Sequence, residues 1–361
     1  MIYTRMTDLI GRTPLFQLAQ TGSGTRLLLK LEQFNPTGAA KIRMARSMVL
    51  DAEARGLLRP GGRIVESTSG NTGLGLAVVA AERGYRFTAV VDRHACADKL
   101  RTMAALGAEL IFVGDDDHLA TSAREDLAEQ LAANEPGAFF TEQHNNPANA
   151  DGYAELADEL LADLDGPDVD VLISAVGTGG SLFGTARRLR QRGSAVRVIG
   201  VEPVGSIAFG GDGGPYWQSG TGTPPGASIG TAVDYTLLDE GLKVSDIEAF
   251  ATARAVAART GLMIGGSAGG SVHAALTRLE DFAPGSTVIT IVCDGGEKYL
   301  DTVFDDEWMR ARNLLDLPTE SHLNTLLTRL SPTPTPPPSW PPSKTADPSH
   351  PRPFGGVSTL L

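Results

Sequence analysis

The chain has 361 residues, 42% hydrophobic and 20% charged, a length that suggests two domains or one large domain with an appendage. That composition excludes a wholly disordered or fibrous chain. Asp and Glu outnumber Lys and Arg by 43 to 31, for a net charge of −12, so the field that holds a phosphate backbone is missing and nucleic acid is not an expected partner.

The two cysteines, Cys96 and Cys293, cannot build a disulfide framework and fit a reducing compartment. The segment from Met1 to Asp8 carries no apolar signal-peptide core, and no apolar run reaches the roughly 18 residues of a membrane span. A cytoplasmic protein with no membrane partner is the expectation.

In chain order, Arg63 to Glu66 reads as a strand, Leu74 to Arg83 as a helix and Arg86 to Val91 as the next strand. Further on come a strand over Val171 to Val176, a helix over Leu182 to Gln191 and a strand over Val196 to Val201. Val272 to Leu279 reads as helix and Thr287 to Val292 as strand. Continuous Val/Ile-rich strands alternating with helices predict parallel sheets covered on both faces. From Pro318 the periodicity fails. The proline-dense stretch that begins at Ser331 predicts a disordered tail over 317–361.

Ligands of parallel α/β sheets bind at the carboxyl ends of strands. Three loops fit that placement. In Asn35-Pro36-Thr37-Gly38-Ala39-Ala40-Lys41, turn residues lead into a helix with Lys41 in its first turn. The helix N-terminus lowers an amine's pKa and favours its neutral, nucleophilic form. Lys41 is therefore a candidate imine-forming lysine, with a solvated helix lysine as the alternative. Lysine is scarce here. Lys99 and Lys243 read as surface positions, Lys30 lies in an apolar run, Lys298 in a glycine-flanked loop and Lys344 in the tail.

The second loop, Thr68-Ser69-Gly70-Asn71-Thr72-Gly73, gathers more polar donors than a helix cap needs and suits a carboxylate. In the third, Gly177-Thr178-Gly179-Gly180-Ser181, glycines at a helix start suit a phosphate. The dinucleotide fingerprint fails in register because Leu182 stands where its third glycine would be. A nicotinamide dehydrogenase using Gly177–Ser181 and Glu202 remains an alternative. No metal-ligand spacing is present among the histidines and cysteines. Gly265-Gly266-Ser267-Ala268-Gly269 has the hydrolase nucleophile pattern but follows no clear strand.

An anchored phosphate, an imine lysine and a carboxylate pocket together describe a pyridoxal-phosphate enzyme acting on an amino acid. From about residue 7 to 310 the sequence resembles the cysteine synthase family of fold-type II pyridoxal-phosphate enzymes. The resemblance rests on Ile10-Gly11-Arg12-Thr13-Pro14-Leu15, the three loops above and Gly296-Glu297-Lys298-Tyr299-Leu300. It implies a tryptophan synthase β-like architecture of two parallel-sheet α/β domains. The larger, cofactor-binding domain would comprise 1–44 and 151–316, and the smaller, carrying the substrate loop, 45–150. A homodimer is implied as well.

By the same resemblance, Lys41 would form the internal aldimine and Asn71 would touch the cofactor's ring hydroxyl. Thr68, Ser69, Asn71, Thr72 and Gln143 would bind the substrate. Gly177, Thr178, Gly179, Gly180 and Ser181 would hold the phosphate, and Asp294 would contact the pyridine nitrogen. Many relatives have serine at that last place, and a carboxylate would favour a protonated ring and a stronger electron sink. Ile42 and Ala39 stand where aspartate and serine are usual. Gly205 to Gly211 and Tyr299 to Phe304 are similar to a subgroup that makes diaminopropionate precursors.

The implied activity is β-replacement on an O-activated L-serine through a bound aminoacrylate. Acetate or phosphate would leave, and sulfide would give cysteine or an amine a diaminopropionate derivative. A non-catalytic homologue serving as a partner-binding scaffold is a further alternative.

Overall fold

The computed structural model describes residues 2–92, 96–113, 121–164, 166 and 168–332. Residues 1–331 cluster as one compact unit. Its strands are β1 (Leu15–Gln20), β2 (Arg26–Leu31), β3 (Arg63–Ser67), β4 (Arg86–Val91), β5 (Glu109–Phe112), β6 (Ala138–Phe140), β7 (Val171–Ala175), β8 (Arg197–Pro203), β9 (Glu240–Val244) and β10 (Thr287–Val292). The helices are α1 (Lys41–Ala54), α2 (Asn71–Arg83), α3 (Ala97–Ala105), α4 (Thr121–Asn134), α5 (Pro147–Asp151), α6 (Ala154–Leu164), α7 (Gly180–Gln191), α8 (Asp246–Thr260), α9 (Gly266–Thr277), α10 (Asp306–Ala311) and α11 (Leu317–Arg329).

Two sheets form. One is six-stranded in the order β1-β2-β10-β7-β8-β9, the other four-stranded in the order β5-β4-β3-β6. The smaller sheet is parallel throughout. In the larger, β1 runs antiparallel to β2 and every other pair is parallel. The strands β7 and β10 are buried along their whole length, which is why they read as unbroken Val/Ile runs. Helices α8, α9 and α11 cover one face of the larger sheet, and α6 and α7 the other. Helix α1 packs closely on α2. A Cβ on Gly75 would sit 3.0 Å from the Ile42 Cα, so the approach needs glycine. Ile42 and Ala39, the two departures noted above, are fully buried core residues.

The tail expectation needs correcting at its start. Residues Leu317–Arg329 form α11, with Pro318 in its first turn and the Asp316 carboxylate accepting from Thr319 N at 3.0 Å. Proline is compatible with a helix start because its missing N–H has no intrahelical partner there anyway. Leu323, Leu327 and Leu330 then join the main core. The proline-rich remainder, 333–361, lies outside the described residues. Among the described residues no helix is long and apolar enough to cross a membrane, and no group of three or more His, Cys, Asp or Glu side chains could hold a metal.

Candidate active site

The loop before α1 is held by a buried ionic network. Arg43 Nε donates to Glu32 at 2.7 Å and its NH1 to Glu159 at 2.8 Å, and Lys30 meets Glu159 at 3.0 Å. Burial works against the Glu159 charge, yet Arg43 holds its pKa down at about 2. Thr13 Oγ1 donates to Glu32 at 2.6 Å, Asn35 Nδ2 to Glu32 at 2.9 Å, and Gly11 N to Asn35 at 2.9 Å. The entry segment and Asn35 therefore act as scaffold, pinning the turn that delivers Lys41 at the first position of α1.

The Lys41 ammonium lies 3.3 Å from Thr178 Oγ1, so the candidate imine lysine meets the candidate phosphate loop. Burial lowers the Lys41 pKa, with Cys293 and Glu66 acting in the opposite direction.

At the candidate phosphate loop, Gly179 has φ +90°, and a Cβ on it would come within 2.8 Å of the Ala232 and Val233 backbone. A Cβ on Gly177 would meet the Gly220 carbonyl at 3.0 Å. Gly222 N and Thr221 Oγ1 donate to the Val176 carbonyl at 2.7 and 2.9 Å, tying the covering loop to the end of β7. Gly180 opens α7 but sits behind the wall, against the Asn149 side chain.

On the facing wall, Thr68 Oγ1 accepts from Gly73 N at 3.2 Å and Ser69 Oγ from Asp92 N at 2.7 Å. Thr72 Oγ1 donates to Gln143 Oε1 at 2.7 Å, and Gln143 Nε2 donates to the Ser67 carbonyl at 3.3 Å. Behind them Glu66 is buried, accepting from Thr141 Oγ1 and, at 3.1 Å, from Gln143 N. Burial pushes its pKa up to about 7 against the effect of those hydrogen bonds. Asn149 joins the two walls, its Nδ2 donating to the Gln143 carbonyl at 2.7 Å and to Thr178 Oγ1 at 3.0 Å.

At the end of β10, Asp294 is 2% exposed. Its Oδ2 accepts from Asn71 Nδ2 and from Tyr299 OH, each at 2.7 Å, while Oδ1 is buried without a partner. Lys298 Nζ in turn donates to Asn71 Oδ1 at 2.9 Å. All of the predicted site residues except Gly180 line one cleft of about 630 Å³.

Several lining residues were not anticipated. Lys99, expected on the surface, is 6% exposed and points its ammonium into the cleft region beside Tyr299. It shares the buried face of α3 with Met103 at i, i+4 spacing, a pattern masked by the charged neighbours Asp98 and Arg101. His144 lines the cleft beside Gln143, its pKa pushed down to about 4 by burial and then by Lys41. Lys243 is on the surface as expected, and its ammonium reaches in to pair with Glu202.

Glu202 itself removes the dehydrogenase alternative. It is wholly buried and accepts from Ser206 Oγ, from Ala208 N at 2.9 Å, from Phe209 N at 3.0 Å and from Lys243. Its lone pairs are committed to holding the Gly205–Gly211 loop, which leaves nothing for a ribose. Ser267 lies inside the first turn of α9 and follows no strand, so it has no nucleophile-elbow geometry.

The donor set fits pyridoxal phosphate. Glycine backbone at the start of a long helix accommodates a phosphate, an amine faces it, and an orphaned buried carboxylate oxygen awaits a ring partner. Similar proteins carry the same reading. Residues 6–294 match the family model described as pyridoxal-phosphate dependent enzyme. A putative cysteine synthase of Sinorhizobium fredii is 53% identical over 320 residues, covering 88% of this chain and 95% of the relative. The N-(2-amino-2-carboxyethyl)-L-glutamate synthase of Ralstonia nicotianae is 36% identical over 314 residues, covering 86% and 92%. The crystal structure of cysteine synthase from Entamoeba histolytica superposes with a TM-score of 0.79 at 31% identity, over 91% of this chain and 96% of that one. The chain thus belongs to the pyridoxal-phosphate dependent enzymes of the cysteine synthase-like, fold-type II kind.

Proposed function

We propose that this protein catalyses β-replacement on an O-activated L-serine. The observation that carries the reading is the convergence of the Lys41 amine, the glycine cradle at 177–181 and the Thr68–Thr72 donors on one cleft. When bound, pyridoxal phosphate would supply an electron sink for the pair left at the substrate Cα. Gly177, Thr178, Gly179, Gly180 and Ser181 would hold its phosphate with backbone N–H groups and hydroxyls. Asn71 would serve the ring hydroxyl, exchanging one of its present bonds to Asp294 and Lys298. Asp294, through its free Oδ1, would hold a proton at the ring nitrogen.

Thr68, Ser69, Thr72 and Gln143 orient the substrate carboxylate. Lys41 Nζ takes the Cα proton, the Cβ–O bond breaks and acetate or phosphate leaves with the bonding pair. The nucleophile then forms its bond at Cβ, and Lys41 returns the proton to Cα. The lowered pKa of Lys41 suits a group that must accept a proton near neutral pH. Lys41→Ala is expected to abolish the visible band of covalently held cofactor and to cut turnover by about a thousandfold or more. A retained band would remove Lys41 from this role.

An amine nucleophile is favoured by the resemblance to the Ralstonia relative and by the Gly205–Gly211 loop. Mass spectrometry of products from O-acetyl- or O-phospho-L-serine with sulfide, ammonia or L-glutamate separates the two outcomes. We further read residues 45–150 as the smaller domain and the working form as a cytoplasmic homodimer. Light scattering that gives a monomer would overturn the latter.

A further inference from the structure

Lys99 carries a charge that the scheme above does not use. It is 6% exposed and lines the cleft, yet among the described residues no carboxylate lies within 4 Å of its ammonium. Its neighbours are the Tyr299 ring, with the nitrogen 4.8 Å from the centroid, and the Tyr299 hydroxyl at 3.5 Å. That hydroxyl already donates to Asp294 Oδ2. Nearby, burial lowers the Lys298 pKa, Asp294 and Glu297 raise it and Lys99 lowers it. Elsewhere on the rim, Arg124 and Asp92 pair at 3.7 Å, and Glu125 lies 3.8 Å from His144.

A buried cation held only by a π face and one long hydroxyl contact is costly unless an anion completes it. The substrate α-carboxylate already has its own donors, all neutral, in Thr68, Ser69, Thr72 and Gln143. Among the described residues no carboxylate takes up the Lys99 charge, which leaves it for a second negative group.

We propose that Lys99 binds a second oxyanion carried by a reactant, either the phosphate of an O-phosphoryl leaving group or a side-chain carboxylate on the incoming nucleophile. Lys99 is then a specificity-determining residue for anionic over neutral reactants. The proposal rests on the β-replacement reading for its choice of reactants.

The test uses the cofactor-loaded full chain, so that the cradle at 177–181 is filled. Inorganic phosphate and glutarate are titrated by calorimetry into the wild type, Lys99→Met and Lys99→Arg. At least one anion is expected to bind, Lys99→Met to weaken it by about tenfold or more, and Lys99→Arg, which keeps the charge, to restore it. Phosphate assigns the leaving group and glutarate the nucleophile. Binding of neither anion, or equal binding by wild type and Lys99→Met, overturns the proposal.

Kinetics give a second reading. The kcat/KM ratio of O-phospho- to O-acetyl-L-serine, or of L-glutamate to sulfide, should fall in Lys99→Met. Ratios unchanged in both arms overturn the proposal even if the variant folds poorly, because a general folding defect cancels in the ratio. If wild-type protein leaves its cofactor band unchanged with both esters, β-replacement fails, while the calorimetry still decides Lys99.

Discussion

The two walls of the cleft present different groups to it. The wall at the carboxyl end of β7 uses backbone. Gly177 and Gly179 let the chain turn and pack where a side chain would collide, and the start of α7 supplies N–H groups. The wall at the end of β3 offers side chains, each oriented by a partner, as Gln143 is by Thr72 and Ser67. A backbone cradle suits a resident cofactor because it is rigid and tolerates little change. Side-chain donors suit a substrate that must enter, react and leave, because each contributes modestly and can be retuned.

The largest break in that contrast should come from Gly179→Ala. A residue at φ +90° with backbone 2.8 Å from its Cβ must move the cradle. Cofactor affinity, read by dialysis and absorbance, is expected to fall by about tenfold to a hundredfold. Affinity unchanged from wild type would mean the cradle is not the phosphate site.

Thr72→Val tests the opposite wall. It leaves Gln143 Oε1 without its 2.7 Å donor. KM for the amino-acid substrate should rise by roughly tenfold, with cofactor affinity held. A loss of cofactor with KM unchanged would reverse the assignment of the two walls.

The smallest effect concerns Glu66, the buried support of Gln143. Burial raises its folded pKa to about 7. Folding therefore favours the protonated form, and that stability is present below the ordinary carboxyl pKa and lost as pH rises towards about 7. Glu66→Gln keeps an acceptor for Gln143 N but cannot ionise. The stability of wild type relative to this variant should decline by up to about 1 kcal/mol per pH unit between roughly pH 5 and 7. Parallel thermal unfolding profiles across that range would show that Glu66 is ionised throughout in the fold, with no upward shift.

Much of the site was legible because its residue types answer local needs. Gly179 must adopt a left-handed backbone, and strands β4 and β10 begin and end where their apolar runs do. Helices α2 and α7 start a little earlier than their apolar periodicity, at Asn71 and Gly180, since the loop donors themselves form the first turns. The hairpin of β1 and β2 was not anticipated, because short runs broken by Gln17 and Lys30 carry weak period-two signals. Helix α11 was lost to the proline at its start.

The sequence by itself determined the alternation of strands and helices, the three loops at strand ends and Lys41 as the amine with a helix start beside glycine turns. These depend on neighbours a few residues apart, where φ preference, capping and periodicity act. Only the tertiary structure decided which charges are spare. Glu202 is taken by its own loop, Lys30 and Arg43 by buried carboxylates, and Lys99 by none within 4 Å among the described residues. That distinction depends on burial and on partners far apart in the chain, such as Lys99 and Tyr299, which no local pattern brings together.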